Sequence, residues 1–117
     1  MATGSRQKVN EKPCRGIVLL RSEGLCERCT RYGQTVHHRK KRSHLSKKDM
    51  WLPSNCVLLC GDGVRGCHGW IEDHPDLAAT EGFHVRSWED PAEVPVLWRG
   101  TGLVLLTDDG GFKPWHS

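Results

Sequence analysis

Cysteine and histidine side chains alternate between Cys26 and His68 in an order that divides them by chemistry. Cys26 and Cys29 form a C-x2-C pair, His37 and His38 follow, then come Asn55 and Cys60, and Cys67 with His68 closes the series. Thiolates suit a closed tetrahedral zinc site, whereas imidazoles that leave a position open suit an ion that polarises a substrate. One small chain therefore carries ligands for an ion that folds it and for another that works. Successive side chains of an extended segment point to opposite sides, so one ring of the His37-His38 dipeptide can ligate an ion while the other faces a water nucleophile. An isolated His-His would be no more than a polar strand end. Asn55 and Cys67-His68 at ordered intervals make that bland interpretation the weaker one.

The elements that position these groups must come from a thin apolar complement. The chain has 117 residues, of which 37% are hydrophobic and 7% aromatic, so it is of single-domain length and cannot bury a large core without staples. Its N-terminus, Met1 to Lys12, is polar and basic with no apolar signal-peptide region, and no apolar run reaches membrane-spanning length. A cytoplasmic protein without a membrane partner is expected. In a reducing compartment, C-x2-C with further Cys and His downstream indicates metal ligation over disulfides. Cys26, Cys29, Cys60 and Cys67 are the expected structural zinc ligands, while Cys14 and Cys56 are expected to remain free thiols.

A net charge of +3 justifies no claim about nucleic acid, but its distribution does. Arg31, Arg39, Lys40, Lys41, Arg42, Lys47 and Lys48 lie together with no intervening acid, whereas most carboxylates fall between Glu72 and Asp109. The positive stretch coincides with the histidine pair, so a polyanion would be steered to it.

A small α+β fold is expected, divided into a flexible basic arm over 1–13, a core over 14–82 and a β-rich extension over 83–117 packed on that core. Ile17 to Leu20 forms a helix or strand docked on the zinc unit. Cys26-Glu27-Arg28-Cys29 followed by Tyr32-Gly33 resembles a zinc knuckle. Gln34 to His38 and Asn55 to Cys60 are predicted as antiparallel strands, and Cys67 to about His74 as a helix that Pro75 interrupts. Asp76 is the expected N-cap of a short helix through Thr80. Val85 to Trp88, Val94 to Trp98 and Leu103 to Leu106 are predicted as strands, with a turn at Asp109-Gly110.

In its ordered combination, Cys26-x2-Cys29, His37-His38, Asn55-x2-Leu58-x-Cys60 and Cys67-His68 resemble the HNH endonuclease family with its ββα-metal fold. Gly66-Cys67-His68-Gly69-Trp70-Ile71, His74-Pro75, Val94-Pro95-Val96 and Leu105-x2-Asp108-Asp109-Gly110 extend the likeness to the small HNH proteins of actinobacteriophages. The resemblance implies a ββα-metal HNH core with a four-cysteine structural zinc site and a metal-dependent endonuclease that hydrolyses DNA phosphodiester bonds. It further implies a phage-encoded enzyme acting with the terminase large subunit in DNA packaging.

By the same resemblance His38 is the general base, Asn55 orients the base and its loop, and His68 is both the closing histidine of the motif and a metal ligand. His37 takes the preceding ligand position. Family members often carry a second histidine four residues after the last, where this chain has Glu72. Glu72 is then a ligand that shifts preference toward Mg2+ or Mn2+ among Mg2+, Mn2+, Ni2+, Co2+ and Zn2+, or else a solvated helix residue with His74 near the ion. Arg39, Lys40, Lys41, Arg42 and Arg65 are the expected DNA-binding residues. Trp51 and Trp70 serve either base stacking or the core, with core packing favoured. The rival from another class is a non-catalytic zinc-binding module that binds DNA or scaffolds.

Overall fold

The computed structural model describes residues 10–115; most of the expected N-terminal arm, residues 1–9, lies outside them. Helix α1 covers Glu11–Ser22 and so begins within the stretch expected to be arm. Pro13 sits in its first turn, where a missing N–H costs nothing. Cys14, Val18, Arg21 and Ser22 recur at helical spacing and form the buried stripe. The chain leaves α1 through Glu23 and Gly24, both at positive φ, and enters the C-x2-C turn.

Strands β1 (Thr35–His38) and β2 (Cys56–Leu59) pair antiparallel, with His37 opposite Val57 and His38 opposite Cys56. Asn55 ends a short 3-10 turn just before β2 and does not start the strand. All four β2 residues are buried because both faces of the pair are covered. Val57 and Leu59 join a cluster with Cys26, Cys60, Cys67, Ile71 and Phe83. Cys56 and Leu58 face the other way, against Cys14 and Val18 of α1. The two-stranded sheet is thus a wall between two apolar clusters.

The basic loop after β1 contains a short helix α2 (Lys47–Met50). After β2, a tight turn leads into α3 (Gly66–Asp73). Gly61 and Gly66 stand at φ +80° and +67°, and a Cβ on Gly66 would meet the Cys60 carbonyl oxygen at 2.6 Å. Only glycine closes this turn.

Helix α4 (Pro75–Thr80) starts two residues earlier than expected. His74 takes the N-cap position and Asp76 lies inside the first turn, because Pro at the first helical position presets its φ. The extension forms a second sheet of β3 (Val96–Leu97), β4 (Leu103–Leu106) and β5 (Phe112–Pro114), in the order β3-β4-β5. The expected strand over 85–88 is not formed: Val85 makes a single bridge to Lys40 and the chain then turns. Phe83, Val96 and Leu106 of the extension are fully buried in the cluster that contains the thiols. Among the described residues, no helix is long and apolar enough to cross a membrane.

A buried ion pair joins these layers. The Arg21 guanidinium forks onto Glu27 at 2.7 and 2.8 Å and also donates to the carbonyls of Pro53 and Cys56. Glu27 accepts in addition from the Leu58 backbone N–H and the Trp98 indole. Each charge is satisfied on several sides, which is the condition under which a buried pair holds elements in register without a large penalty.

Candidate metal centre and cleft

Two groups of ligand-type side chains converge, one on each side of the α3 N-terminus. The first is Cys26, Cys29, Cys60 and Cys67, with sulfur atoms all within 4.8 Å of one another. The C-x2-C turn brings the first two together, since the Arg31 carbonyl accepts from the Cys26 N–H and the Thr30 N–H donates to the Cys26 carbonyl. The 61–66 turn brings the last two together and lets the Cys67 N–H donate to the Cys60 sulfur at 3.3 Å. The Cys29 and Cys60 sulfurs stand 3.5 Å apart. Tetrahedral zinc thiolates lie about 3.8 Å from one another, as Zn–S bonds of about 2.3 Å require, so four thiols spaced in this way could hold a metal such as zinc. Burial raises the Cys29 and Cys67 thiols, and an ion would have to displace those protons. Arg28 lies over the Trp70 ring at 3.9 Å, donates to the Cys67 sulfur at 3.4 Å and pairs with Glu81. Trp70 therefore belongs to the support of the thiol cluster, and His74 stacks on it at the surface, away from the second group.

That second group is His37, His68 and Glu72, again with ligand atoms within 4.8 Å of one another. Thr35 and His37 share the face of β1 toward α3, and His68 and Glu72 lie one helical turn apart on α3. The hydrogen bonds of each ring decide which nitrogen faces the shared point. His37 Nε2 donates to the Phe83 carbonyl at 2.8 Å, leaving the Nδ1 lone pair 3.7 Å from the Glu72 carboxylate. Thr35 gives its hydroxyl proton to the Gly61 carbonyl and so accepts from His68 Nδ1 at 2.7 Å, leaving Nε2 at 3.9 Å from the same carboxylate. Carbonyl and hydroxyl partners of this kind orient metal-ligating imidazoles. Burial pushes His37 down to about 3 and also lowers His68, so both rings are neutral near pH 7. Glu72 is half exposed and opens the group to solvent.

His38 lines the same cleft, of about 490 Å³. Its Nδ1 donates to the Met50 carbonyl at 2.9 Å, which leaves Nε2 as the basic nitrogen, and its ring meets Trp51 edge-on at 4.5 Å. Burial lowers its pKa as well. Asn55 is fully buried and closes the intervening loop: its Oδ1 accepts from the Lys40 N–H at 2.8 Å and its Nδ2 reaches the same Met50 carbonyl at 3.5 Å. The amide thus steadies the oxygen that orients His38.

The expected DNA-binding residues separate. Lys41 and Arg42 are exposed and line the cleft. Arg39 does not: it is fully buried, and its guanidinium donates to the carbonyls of Gly82, Ser54, Pro91 and Val94 at 2.6 to 2.8 Å. Residue 39 follows the alternation of β1 inward, where Ser54, Gly82 and two residues of the extension surround it with carbonyls in place of a carboxylate. Burial lowers its pKa to about 9, so it stays charged at neutral pH. Lys40 turns its ammonium to the Glu89 carbonyl. Arg65 is exposed in a separate groove beside the α3 N-terminus.

Two contributors escape the motif. Thr35 could have been found from its place two residues before His37 on one strand face. His84, which lines the cleft, has no signal in spacing, because only the bond of the Val85 N–H to the Arg39 carbonyl brings it there. Comparison of the chain with family models, curated proteins and solved structures gave no match.

Proposed function

We propose that the chain is a metal-dependent DNA endonuclease of HNH type, with β1, β2 and α3 as its ββα core and the four thiols holding a structural zinc. One observation carries this: His37 Nδ1, His68 Nε2 and Glu72 converge within 4.8 Å in a cleft that His38 also lines. Two neutral imidazoles and a carboxylate fit a divalent ion, and the carboxylate favours Mg2+ or Mn2+ over softer ions. Held by His37, His68 and Glu72, such an ion would supply Lewis-acid stabilisation of the charge that develops on the phosphodiester.

The chain's own residues do the rest. His38 Nε2 removes a proton from a water whose oxygen attacks phosphorus as the bond to the 3′ oxygen breaks. Asn55, through the Met50 carbonyl, keeps Nδ1 protonated and the ring in place. Lys41 and Arg42 attract the phosphodiester backbone to the cleft without reading sequence. The leaving 3′ oxygen takes up a proton from water, so the products are a 5′-phosphate and a 3′-hydroxyl.

Supercoiled plasmid incubated with the zinc-loaded chain and, separately, Mg2+, Mn2+, Co2+, Ni2+ or Zn2+ should be nicked with at least one of them. His38→Ala should lower the rate by about 100- to 10,000-fold, the range of a general base, with zinc content unchanged. A wild-type chain that cuts with none of these ions sinks the proposal, and undiminished cutting by the variant removes His38 from the role.

A further inference from the structure

The cleft has a second hollow beside it on the same two elements. Strand β1 and helix α3 line both: Val36 to His38 and His68 to Glu72 border the cleft, while Thr35 and Gly66, at the starts of the same two elements, border the second hollow, of about 740 Å³. The Thr35–His68 hydrogen bond joins the two elements. Thr35 precedes His37 by two strand residues, about 7 Å of chain, so the two hollows are neighbours along β1.

The second hollow has the chemistry of a strand-binding groove. Arg31, after the C-x2-C turn, and Arg65, just before α3, both line it and both are exposed. Tyr32 lines the same hollow with 83% of its surface exposed and with no side-chain hydrogen bond or ring contact among the described residues. Asp62, the acid of the groove, turns its carboxylate onto the Val64 and Arg65 backbone N–H groups at 2.8 and 2.9 Å. Backbone bonds tie this edge to the thiol turn: the Arg31 carbonyl accepts from the Cys26 N–H, and Tyr32 bridges Leu25.

We infer that this groove receives the DNA strand beyond the scissile phosphate, with Arg31 and Arg65 on phosphates and Tyr32 beneath an unpaired base. The inference rests on the nuclease proposal and names its substrate class: DNA with a single-stranded segment adjoining the cut. A ring that is free on its surface stacks on any unstacked base, whereas a base inside a continuous duplex has no free face to offer it.

The test is fluorescence anisotropy with zinc-loaded His38→Ala protein, comparing a labelled duplex with the same duplex carrying a single-stranded tail. The tailed DNA should bind more tightly. Adding Tyr32→Ala should erase most of that preference, a loss of about 5- to 100-fold, while Tyr32→Phe keeps it. Adding Arg31→Ala and Arg65→Ala should lower the slope of log K against log salt by about 1.4, since each single-strand phosphate that goes without its arginine removes about 0.7. Zinc content and circular dichroism report that each exposed substitution leaves the fold intact. Equal binding of the two DNAs by the parent, retention of the preference in Tyr32→Ala, or an unchanged salt slope overturns the groove. Wild-type protein that neither binds nor cuts DNA overturns the nuclease proposal and the groove with it.

Discussion

Cys67 and His68 are neighbours in sequence, yet they belong to sites built on opposite plans. The thiol cluster is closed: Cys26, Cys60 and Cys67 are buried, four sulfurs offer a complete tetrahedron, and Arg28 and Trp70 cover it. The His37, His68 and Glu72 group is open: two rings are held from behind, by Phe83 and Thr35, and the third member is half exposed at the mouth of a cleft. Full coordination leaves an ion nothing to do but hold the chain, whereas an incomplete set leaves positions for water and substrate. The 61–66 turn lets one short helix serve both, since consecutive residues at its start point about 100° apart.

The sharpest way to break this contrast is to remove one thiol. Cys26→Ser, or exhaustive chelation, should cost most of the fold, because a structural zinc contributes about 10–16 kcal/mol of apparent binding energy and the apolar core is thin. Near-ultraviolet circular dichroism and zinc content measure it; a variant that stays folded without zinc would show the cluster to be incidental. A second effect falls on the extension that closes the open site from behind. Arg39→Met should destabilise by about 3 kcal/mol or more, since carbonyls of Ser54, Gly82, Pro91 and Val94 lose their donor. Denaturant unfolding checks this, and a loss under about 1 kcal/mol would mean that water replaces the guanidinium at little cost.

Arg39 also marks where the sequence stops being legible. The C-x2-C pair, the strand-strand-helix order and the shared helix face of His68 and Glu72 follow from local spacing, whereas the meeting of His37 with His68 is implied by the family resemblance alone. The fate of a basic run does not. Arg39, Lys40, Lys41 and Arg42 look alike as a chain of charges, and only the packing of Ser54, Gly82, Pro91 and Val94, 15 to 55 residues downstream, buries the first while the last two stay at the cleft. His84 reaches the cleft through the same long-range pairing. Helix α4 illustrates the smaller kind of miss, in which proline at the first turn overrides an aspartate that looked like a cap.

The supports behind the open site should matter less than its ligands. Thr35→Val keeps the shape of the side chain and strands the His68 Nδ1–H without an acceptor. A loss of about 10- to 100-fold in catalytic-ion affinity is expected, as for other partners of ligating histidines, while structural zinc and thermal stability change little. Titrating Mn2+ in the plasmid assay measures it. A variant that binds the ion as tightly as the parent would show that the His68 ring is held by packing alone.

The smallest change tests the open site's most distinctive residue. Glu72→His replaces an oxygen donor with a nitrogen at the same step of α3, leaving His37 and His68 as they are. Hard ions bind through oxygen and softer ones through imidazole, so the variant should keep its activity with Ni2+, Co2+ or Zn2+ and lose it with Mg2+. The ranking of metals, read side by side for parent and variant, is the observable, and it is insensitive to modest differences in folding yield. An unchanged ranking would place Glu72 outside the coordination sphere. It would then act as a half-exposed carboxylate that only balances the charge of Lys41 and Arg42 across the cleft.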